Sequence, residues 1–427
     1  MILATPFKTG GASVGRGAIV IAAVVAVSAA VAGSGGPGWS AAAPVTLGVL
    51  TPLSPPGDAS AGQLIQRGAE LGVRYINTVM GGVFGGKDGC VLPATQVRLA
   101  VEDDSGVPEK AVAGFRRLAS EDHAVAVWGA FHSSAMLAAA PLADELMVPY
   151  LSTQASVADI TQRHFAAVFR THAIDRDRAT AWLGFMQAQG WHKIAMLAEN
   201  TDYGIGLVEA TKALIAARKA DMTLDAVIFD RTSSDLTPQL LKFKAAKPDI
   251  LVNVGVGTPA YLIVKQAHDV GLFPQVPMLG SYDFPVRPEY WKNLGPAGTY
   301  LAFISYYHPK IALSPFGKWA ALEYAKRYHD VAIYANLNSF GQAVIIAQAM
   351  NQACSSDPKR IVAQLERGQF DTWIGGKVTF PRAEGVAWHQ WSPPMLILQY
   401  TQNEQTYDSA PILYPAPLRT GTFATPR

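Results

Sequence analysis

The sequence predicts an α/β protein made of two doubly wound, Rossmann-like lobes. Short apolar runs alternate with helix-like segments from Val45 onward, and such βα repetition lays a parallel sheet between two layers of helices. The alternation restarts after Phe169-Arg170-Thr171, so two comparable blocks stand in tandem. The stretches that follow the strand-like runs are rich in Ser, Thr and Gly, and they fall where open parallel sheets hold ligands, at the carboxyl ends of strands.

In the first block, Val45 to Thr51 reads as an apolar strand and Gly62 to Asn77 as a helix. A Gly-rich loop at 81–86 leads to the strand Gln96 to Glu102, the helix Val107 to Ser120 and the strand Ala124 to Trp128. The helix 133–147 and the strand Val148 to Leu151 complete it. In the second block, helix Ala173 to Gln189 precedes strand Lys193 to Leu197, and helix Tyr203 to Lys219 precedes strand Ala226 to Phe229. Helix Leu236 to Ala246, strand Asp249 to Val254, helix Thr258 to Val270 and strand Val276 to Gly280 follow. After the strand Thr299 to Ile304 the chain turns helical at 315–329, 337–353 and 358–367. Gly375 to Tyr400 reads as strand-rich, broken by Pro393-Pro394, and residues after 405 as a loose Pro-rich end.

Of the 427 residues, 49% are hydrophobic and 16% charged, a globular balance with room for about two or three domains. Residues 1–43 differ in kind. They hold Lys8 and Arg16 without an acid, then the apolar stretch Ala18 to Ala32, with Ala30-Val31-Ala32 and Ala41-Ala42-Ala43 as cleavage signals. That is the make-up of a secretory leader. An uncleaved anchor is the rival reading, but a span asks for about 20 apolar residues and this run is shorter. No Cys lies near the cleavage region, which argues against a lipid-modified N-terminal Cys. Without the leader, 33 basic residues face 33 acidic ones. No basic run carries interleaved aromatics, so nucleic acid is a poor partner, and no later apolar run is long enough to span a bilayer. A soluble exported protein is expected. Cys90 and Cys354 are the only cysteines, too few for a C-x-x-C redox or zinc motif. Export permits a bridge between them, and two separate thiols fit the sequence equally well.

The strand ends carry Ser54 to Ser60, the 129–134 stretch with His132, Ser133 and Ser134, and Ser152-Thr153-Gln154-Ala155-Ser156. They also carry Glu199 to Tyr203, Gly255 to Thr258, and Ser281-Tyr282-Asp283. A strand end running into a helix offers unpaired N–H groups and a positive dipole end, to which Ser adds a hydroxyl donor, so such a site suits a carboxylate or another small anion. Ser133 as plain helix N-cap is the bland reading. A nucleophilic serine is disfavoured because no G-x-S-x-G elbow occurs, and no H-E-x-x-H or EF-hand loop marks a metal site. Gly255-Val256-Gly257-Thr258-Pro259-Ala260 fits G-x-G-x-x-A between a strand and a helix. A dinucleotide fingerprint belongs in the first βα turn of its domain, however, and this one lies deep in the second block. The stronger reading is a glycine pair that lets a ligand or helix approach the backbone. Tyr203, at a helix start, is a candidate aromatic wall, or a staple beside the cap. Asp283 is a candidate ammonium holder, or a cap for the segment that follows.

Taken in order, these stretches resemble the leucine/isoleucine/valine-binding proteins, exported solute-binding components of ABC importers with the type I periplasmic-binding fold. The resemblance runs from about residue 44 to 400 through "VTLGVLTPLS", "GAELGVRYIN", "VEDDSGVPEKAV", "GAFHSS", "VPYLSTQASVADIT", "FRTHAIDRDRA" and "AENTDYGIG". It implies two lobes joined by three crossover strands, near Thr171, Ile304 and Gly376. Lobe 1 is then 44–171 plus 304–376, lobe 2 is 172–303 plus 377–404, and a loose tail covers 405–427. It implies a small amino acid held between closing lobes. Ser133, with Ser134 beside it, would hold the carboxylate, with Ser156 in place of the usual Thr and the backbone at Gln154 and Ala155 helping. Tyr203 would cover the ligand from the second lobe. The family's second-lobe aromatic falls here at Val256 or Gly257, its first-loop aromatic near Ser60 or Ala61, and its ammonium-binding acid near Tyr282 or Asp283. His132 stands where some relatives carry a Cys. These departures imply a wider pocket, open to a larger amino acid, an aromatic acid or an amide. The resemblance further implies a monomeric, non-enzymatic protein without cofactor or metal, whose partners are a small carboxylate solute and the permease and ATPase of the importer. A ligand sensor on the same fold and a dinucleotide-dependent enzyme built on Gly255 and Gly257 are the alternatives.

Overall fold

The computed structural model describes residues 43–426; the leader expected over 1–43 lies almost wholly outside them. The first block runs β1 (Val45–Thr51), α1 (Ala59–Thr78), β2 (Val97–Asp103), α2 (Pro108–Ser120), β3 (Val127–Trp128), α3 (Ser133–Leu146), β4 (Tyr150–Ser152), α4 (Asp159–Gln162) and β5 (Val168–Arg170). Its five strands form a parallel sheet in the order β2-β1-β3-β4-β5. The second block runs α5 (Asp175–Gln189), β6 (Lys193–Glu199), α6 (Asp202–Arg218), β7 (Thr223–Phe229), α7 (Thr237–Ala246), β8 (Ile250–Val254), α8 (Thr258–Asp269), β9 (Met278–Gly280), α9 (Tyr290–Leu294) and β10 (Ala302–Ser305). The chain then forms α10 (Pro315–Tyr328), α11 (Tyr334–Ala353), α12 (Pro358–Arg367), the short pair β11 (Phe370–Asp371) and β12 (Lys377–Val378), then β13 (Leu396–Gln399) and β14 (Ile412–Tyr414). The second sheet has seven strands in the order β14-β13-β10-β9-β8-β6-β7, parallel from β10 to β7 and antiparallel at β13 and β14.

The apolar strands are buried on both faces, as parallel sheets between helix layers require: Leu47, Val49 and Leu50 of β1 and Ile250 to Val252 of β8 are fully enclosed. Helix α11 returns from the second block to pack on α1, and glycine allows the close approach. A Cβ at Gly68 would stand 2.2 Å from Asn336 O, and one at Gly72 would stand 2.5 Å from Ala343 Cβ. Polar side chains of α11 tie it to the first sheet's strand ends: Ser339 Oγ accepts from Trp128 Nε1 at 3.0 Å, and Gln342 Nε2 donates to Ser152 O and Thr171 Oγ1, each at 2.8 Å. The passage between blocks is hydrogen-bonded rather than loose. Arg170 N donates to His389 O at 3.0 Å, Trp391 N donates to Arg170 O at 2.9 Å, and the buried Arg170 guanidinium donates to Val157 O and Thr161 Oγ1, each at 2.7 Å. Cys90, in the loop after α1, is disulfide-bonded to Cys354 at the end of α11, the alternative the sequence left open.

Two expectations need correction. Only Val127 and Trp128 of the apolar run 124–128 form regular strand, although Val125 N also donates to Thr46 O of β1 at 3.0 Å and Gly48 N to Ala126 O at 2.8 Å. The end beyond 405 is not loose. Ile412–Tyr414 pairs with β13, Gln399 exchanges hydrogen bonds with Ala424 at 2.8 and 2.9 Å, and the Phe423 ring packs edge-on to Trp191. Its few apolar residues suffice to cover an otherwise open sheet edge, which proline content alone does not reveal. Among the described residues no helix is long and apolar enough to cross a membrane.

Candidate functional site: the cleft between the lobes

The carboxyl ends of both sheets face each other across a cleft. The first block contributes the loops at 52–58, 129–133 and 153–157, and the second contributes 199–206, 255–258 and 281–287. At the centre lies a buried ionic bridge. Arg287 Nη1 donates to Asp58 Oδ2 at 2.7 Å, and Arg287 Nε and Nη2 donate to Asp283 Oδ1 at 3.2 and 2.7 Å. Gln154 Nε2 donates to the other Asp283 oxygen at 3.0 Å. Burial pushes the Asp58 carboxyl up, but the Arg287 charge together with the hydrogen bonds from Arg287 and Ala61 N outweighs it and holds the group below the usual carboxylate range. Asp58 also caps α1, accepting from Ala61 N at 3.2 Å, while its own N–H donates to His132 Nε2 at 3.1 Å. Gly106 backs that imidazole, where a Cβ would meet the ring at 2.6 Å.

Inside the bridge, Tyr282 stands between the lobes. Its ring meets Phe131 edge-on at 5.4 Å and Tyr203 at 5.6 Å, and its hydroxyl donates to Gln154 O at 3.3 Å. The Tyr203 hydroxyl is 2.7 Å from Ser281 Oγ. Ser133 opens α3, but His132 is the capping residue, so the bland N-cap reading of Ser133 does not hold. Instead Ser133 Oγ accepts from the N–H groups of Ser156 at 3.3 Å and Val157 at 3.4 Å, which leaves its own proton free to donate. Ser134, one residue further along α3, is half-buried. The N–H groups of Gln154 and Ala155 donate to Ala130 O at 3.0 and 3.2 Å, so this expected source of donors is already engaged. Gln154 Oε1 finds no partner among the described residues, while Ser156 Oγ lies close enough to the Asp175 carboxylate to oppose the upward push of burial on it.

Outside the bridge the cleft opens into a cavity of about 550 Å³, walled by Pro55 to Ser60 on one side and by Arg231, Val256 to Pro259, Lys265 and Glu289 on the other. Of the expected site residues Gly257 lines it, with φ 63° and its Cα turned toward Asp58. Gly255 serves packing, since a Cβ there would stand 2.9 Å from Ala260 N at the start of α8. The G-x-G-x-x-A stretch therefore follows β8, which is reached only after β6 and β7 and is not the opening strand of its sheet. Asp283 stands at the N-cap position of the turn 284–286, but its side chain makes no capping bond, and both its oxygens are committed to Arg287 and Gln154. Sequence reasoning missed Asp58 and Arg287, which are 229 residues apart, and Asp175 and Arg178 on α5. Charge at the start of an interlobe helix was the available signal for the last two.

Three buried histidines weaken the fold in acid, and together they outweigh Asp104, whose carboxyl burial pushes up to about 7 and which gains stability over the same range. Burial pushes His132 down to about 3 and His389 down to about 4, and it holds His172 well below the usual imidazole range. The unfolded chain takes these protons near pH 6.5, so the stability they confer is complete above about 6.5 and is lost as pH falls toward 4 and 3. A pH series of melting temperatures should therefore begin to fall below about 6.5 and not wait for carboxylate titration near 4. A flat profile down to about 4.5 would contradict this.

A parallel sheet and a mostly parallel one, joined by hydrogen-bonded crossings and facing each other across a cleft with uncommitted polar atoms, define a two-lobed solute binder with the type I periplasmic-binding fold. The chain belongs to the periplasmic binding protein family, whose model matches residues 44–405. It is 27% identical over 378 residues to Leu/Ile/Val-binding protein homolog 1 of Brucella suis, covering 85% of this chain and 94% of that one. A leucine-binding protein of Thermotoga maritima superposes with a TM-score of 0.73 at 21% identity, over 87% of this chain and 98% of that one. The solute-binding protein of an ABC transporter from R. palustris, in complex with benzoate, superposes with a TM-score of 0.69 at 19% identity, over 88% and 98%.

Proposed function

We propose that the protein is the exported binding component of an ABC importer, working as a monomer that captures an amino acid or similar small carboxylate between its lobes and presents it to a membrane permease and ATPase. The observation that carries this reading is the set of uncommitted polar atoms buried between the lobes: the free proton of Ser133 Oγ and the acceptor Gln154 Oε1, with the Ser156 hydroxyl beside them. Buried polar atoms without partners are costly, and a solute entering the cleft would satisfy them. Tyr203 and Tyr282 supply flat apolar walls beside those atoms, and Gly257 leaves room at the cleft's outer end. The named ligands of the relatives, a branched-chain amino acid in one case and benzoate in another, share a carboxylate.

A calorimetric screen of amino acids and aromatic acids tests the reading. At least one carboxylate should bind, and Ser133→Ala combined with Ser156→Ala should weaken it by roughly 10- to 100-fold, at about 1–3 kcal/mol for buried partners left unmet. Folding should be nearly unchanged in the double variant. Equal affinity for variant and parent would overturn the carboxylate assignment.

A further inference from the structure

The chain passes between the two sheets three times, after β5, after β10 and before β13. One buried histidine gathers these passages. His172, in the first of them, is fully enclosed, with Nε2 3.1 Å from Arg178 Nη2 and Nδ1 2.9 Å from Tyr334 OH. A guanidinium only donates, so Nε2 accepts and the ring proton belongs on Nδ1. Nδ1 then donates to Tyr334 OH, whose own proton goes to Thr171 O at 3.0 Å. Each hydrogen has one place, and the chain of bonds runs from α5 through the first passage to the start of α11. The other two passages meet it at the same ring. Just after β10, the Tyr306 hydroxyl accepts from Arg178 Nε at 3.0 Å, and its ring stands edge-on to His172 at 4.7 Å. Before β13, Gln390 Nε2 donates to His172 O at 2.6 Å.

The far end of this chain rests on the wall of the cleft. Arg178 is itself fully enclosed, and its guanidinium carbon sits 5.4 Å from the Tyr203 ring centre and 5.3 Å from that of Tyr282. Its Nη1 has no partner among the described residues. The guanidinium is thus hydrogen-bonded along its hinge edge and held elsewhere only by ring faces, a less directional contact. A cation held in this way shifts when the rings shift, and it takes His172 and Tyr306 with it.

We propose that Arg178 is the positioning residue of the hinge. Through His172 and Tyr306 it holds the passages at one angle, and through the rings of Tyr203 and Tyr282 it makes that angle answer to the cleft wall. The lock acts in the empty protein, so it stands apart from the question of which solute binds.

The test is the distance between nitroxide labels on Glu109→Cys of α2 and Ser234→Cys before α7, both exposed positions, read by electron dipolar spectroscopy without solute. It is made in Arg287→Ala, where the ionic bridge no longer holds the cleft shut. Tyr306→Phe removes one hydroxyl that accepts from a charged donor, and it should raise the ratio of long to short distances roughly tenfold. Arg178→Met should raise it at least as far. Tyr203→Leu, which takes a ring from Arg178 and touches no hinge contact, should shift the ratio in the same direction, and should add nothing once Arg178→Met is present. In the parent, nitrogen spectra of the His172 ring, assigned by loss of the signal in His172→Gln, should show the proton on Nδ1. The proposal is overturned if neither Arg178→Met nor Tyr306→Phe changes the distances, if Tyr203→Leu acts equally with and without Arg178, or if Nε2 carries the proton. Earlier melting with unchanged distances would make Arg178 a packing residue only and would overturn it as well. If Arg178→Met does not fold, Tyr306→Phe and the ring proton decide. Each of these readings is taken on the empty protein, so a failure here leaves the solute-binding reading intact.

Discussion

Replacing Arg287 by alanine should release the two lobes from each other. The Arg287 side chain is 1% exposed, and its acceptors Asp58 and Asp283 are 4% and 6% exposed. Asp58 belongs to the loop before α1 and Asp283 to the segment after β9, so one guanidinium neutralises a carboxylate from each side of the cleft. Removing one member of a buried charge network leaves the others uncompensated, at a cost of about 3–5 kcal/mol. A hinged protein has a way out that a rigid core lacks. Opening the cleft returns both carboxylates to water at the expense of the Tyr282 and Gln154 contacts, which are worth less. The variant should therefore show a larger radius of gyration than the parent in small-angle scattering, with a more modest loss of thermal stability than the buried-charge figure suggests. In the variant Asp58 loses the charge that holds its carboxyl down, so burial alone would raise it. Identical scattering and melting curves for the two proteins would show that the bridge does not hold the lobes together.

Reduction of the disulfide is the second large effect. Cys90 and Cys354 close a loop of 264 residues, and chain entropy puts the stabilisation from such a cross-link at roughly 5 kcal/mol. The bond fastens the loop after α1 to the end of α11, beside the hydrogen bond from Phe84 N to Asn351 Oδ1 at 2.6 Å. Helix α11 is the element that returns from the second block to pack on α1, and nearly its whole surface is buried. Loosening its end should thus be felt globally. Cys90→Ser with Cys354→Ser, or the parent in reductant, should melt roughly 5–10 °C lower at this chain length. An unchanged melting temperature, with two free thiols titrated, would contradict that account.

The fold was legible because apolar runs such as Val45 to Thr51 and Ile250 to Val254 are too uniform for anything but buried strands, and each is followed by a helical stretch. Strand-end loops bearing Ser133, Ser156, Tyr203 and Gly257 could be located for the same reason: they are what the period leaves over. What those side chains touch was not legible. That Ser133 spends its lone pairs on Ser156 and Val157, and that Asp283 spends its charge on Arg287, depends on how two lobes seat against each other. Asp58 and Arg287 are both unremarkable in sequence, one a cap and the other one of many arginines, and only folding over 229 residues brings them together. The tail beyond 405 was misjudged because its few apolar anchors, Ile412, Leu413 and Phe423, act by docking on a sheet edge built by other segments.

The claim on which the rest depends is that the two lobes close on a small solute. Its most direct measurement is small-angle scattering of the Arg287→Ala protein, titrated with an amino acid that calorimetry shows to bind. Starting from the open form, the radius of gyration should fall toward that of the parent as the cleft fills, with saturation tracking the calorimetric isotherm. A profile that stays unchanged through saturation would mean that the bound solute sits elsewhere than between the lobes.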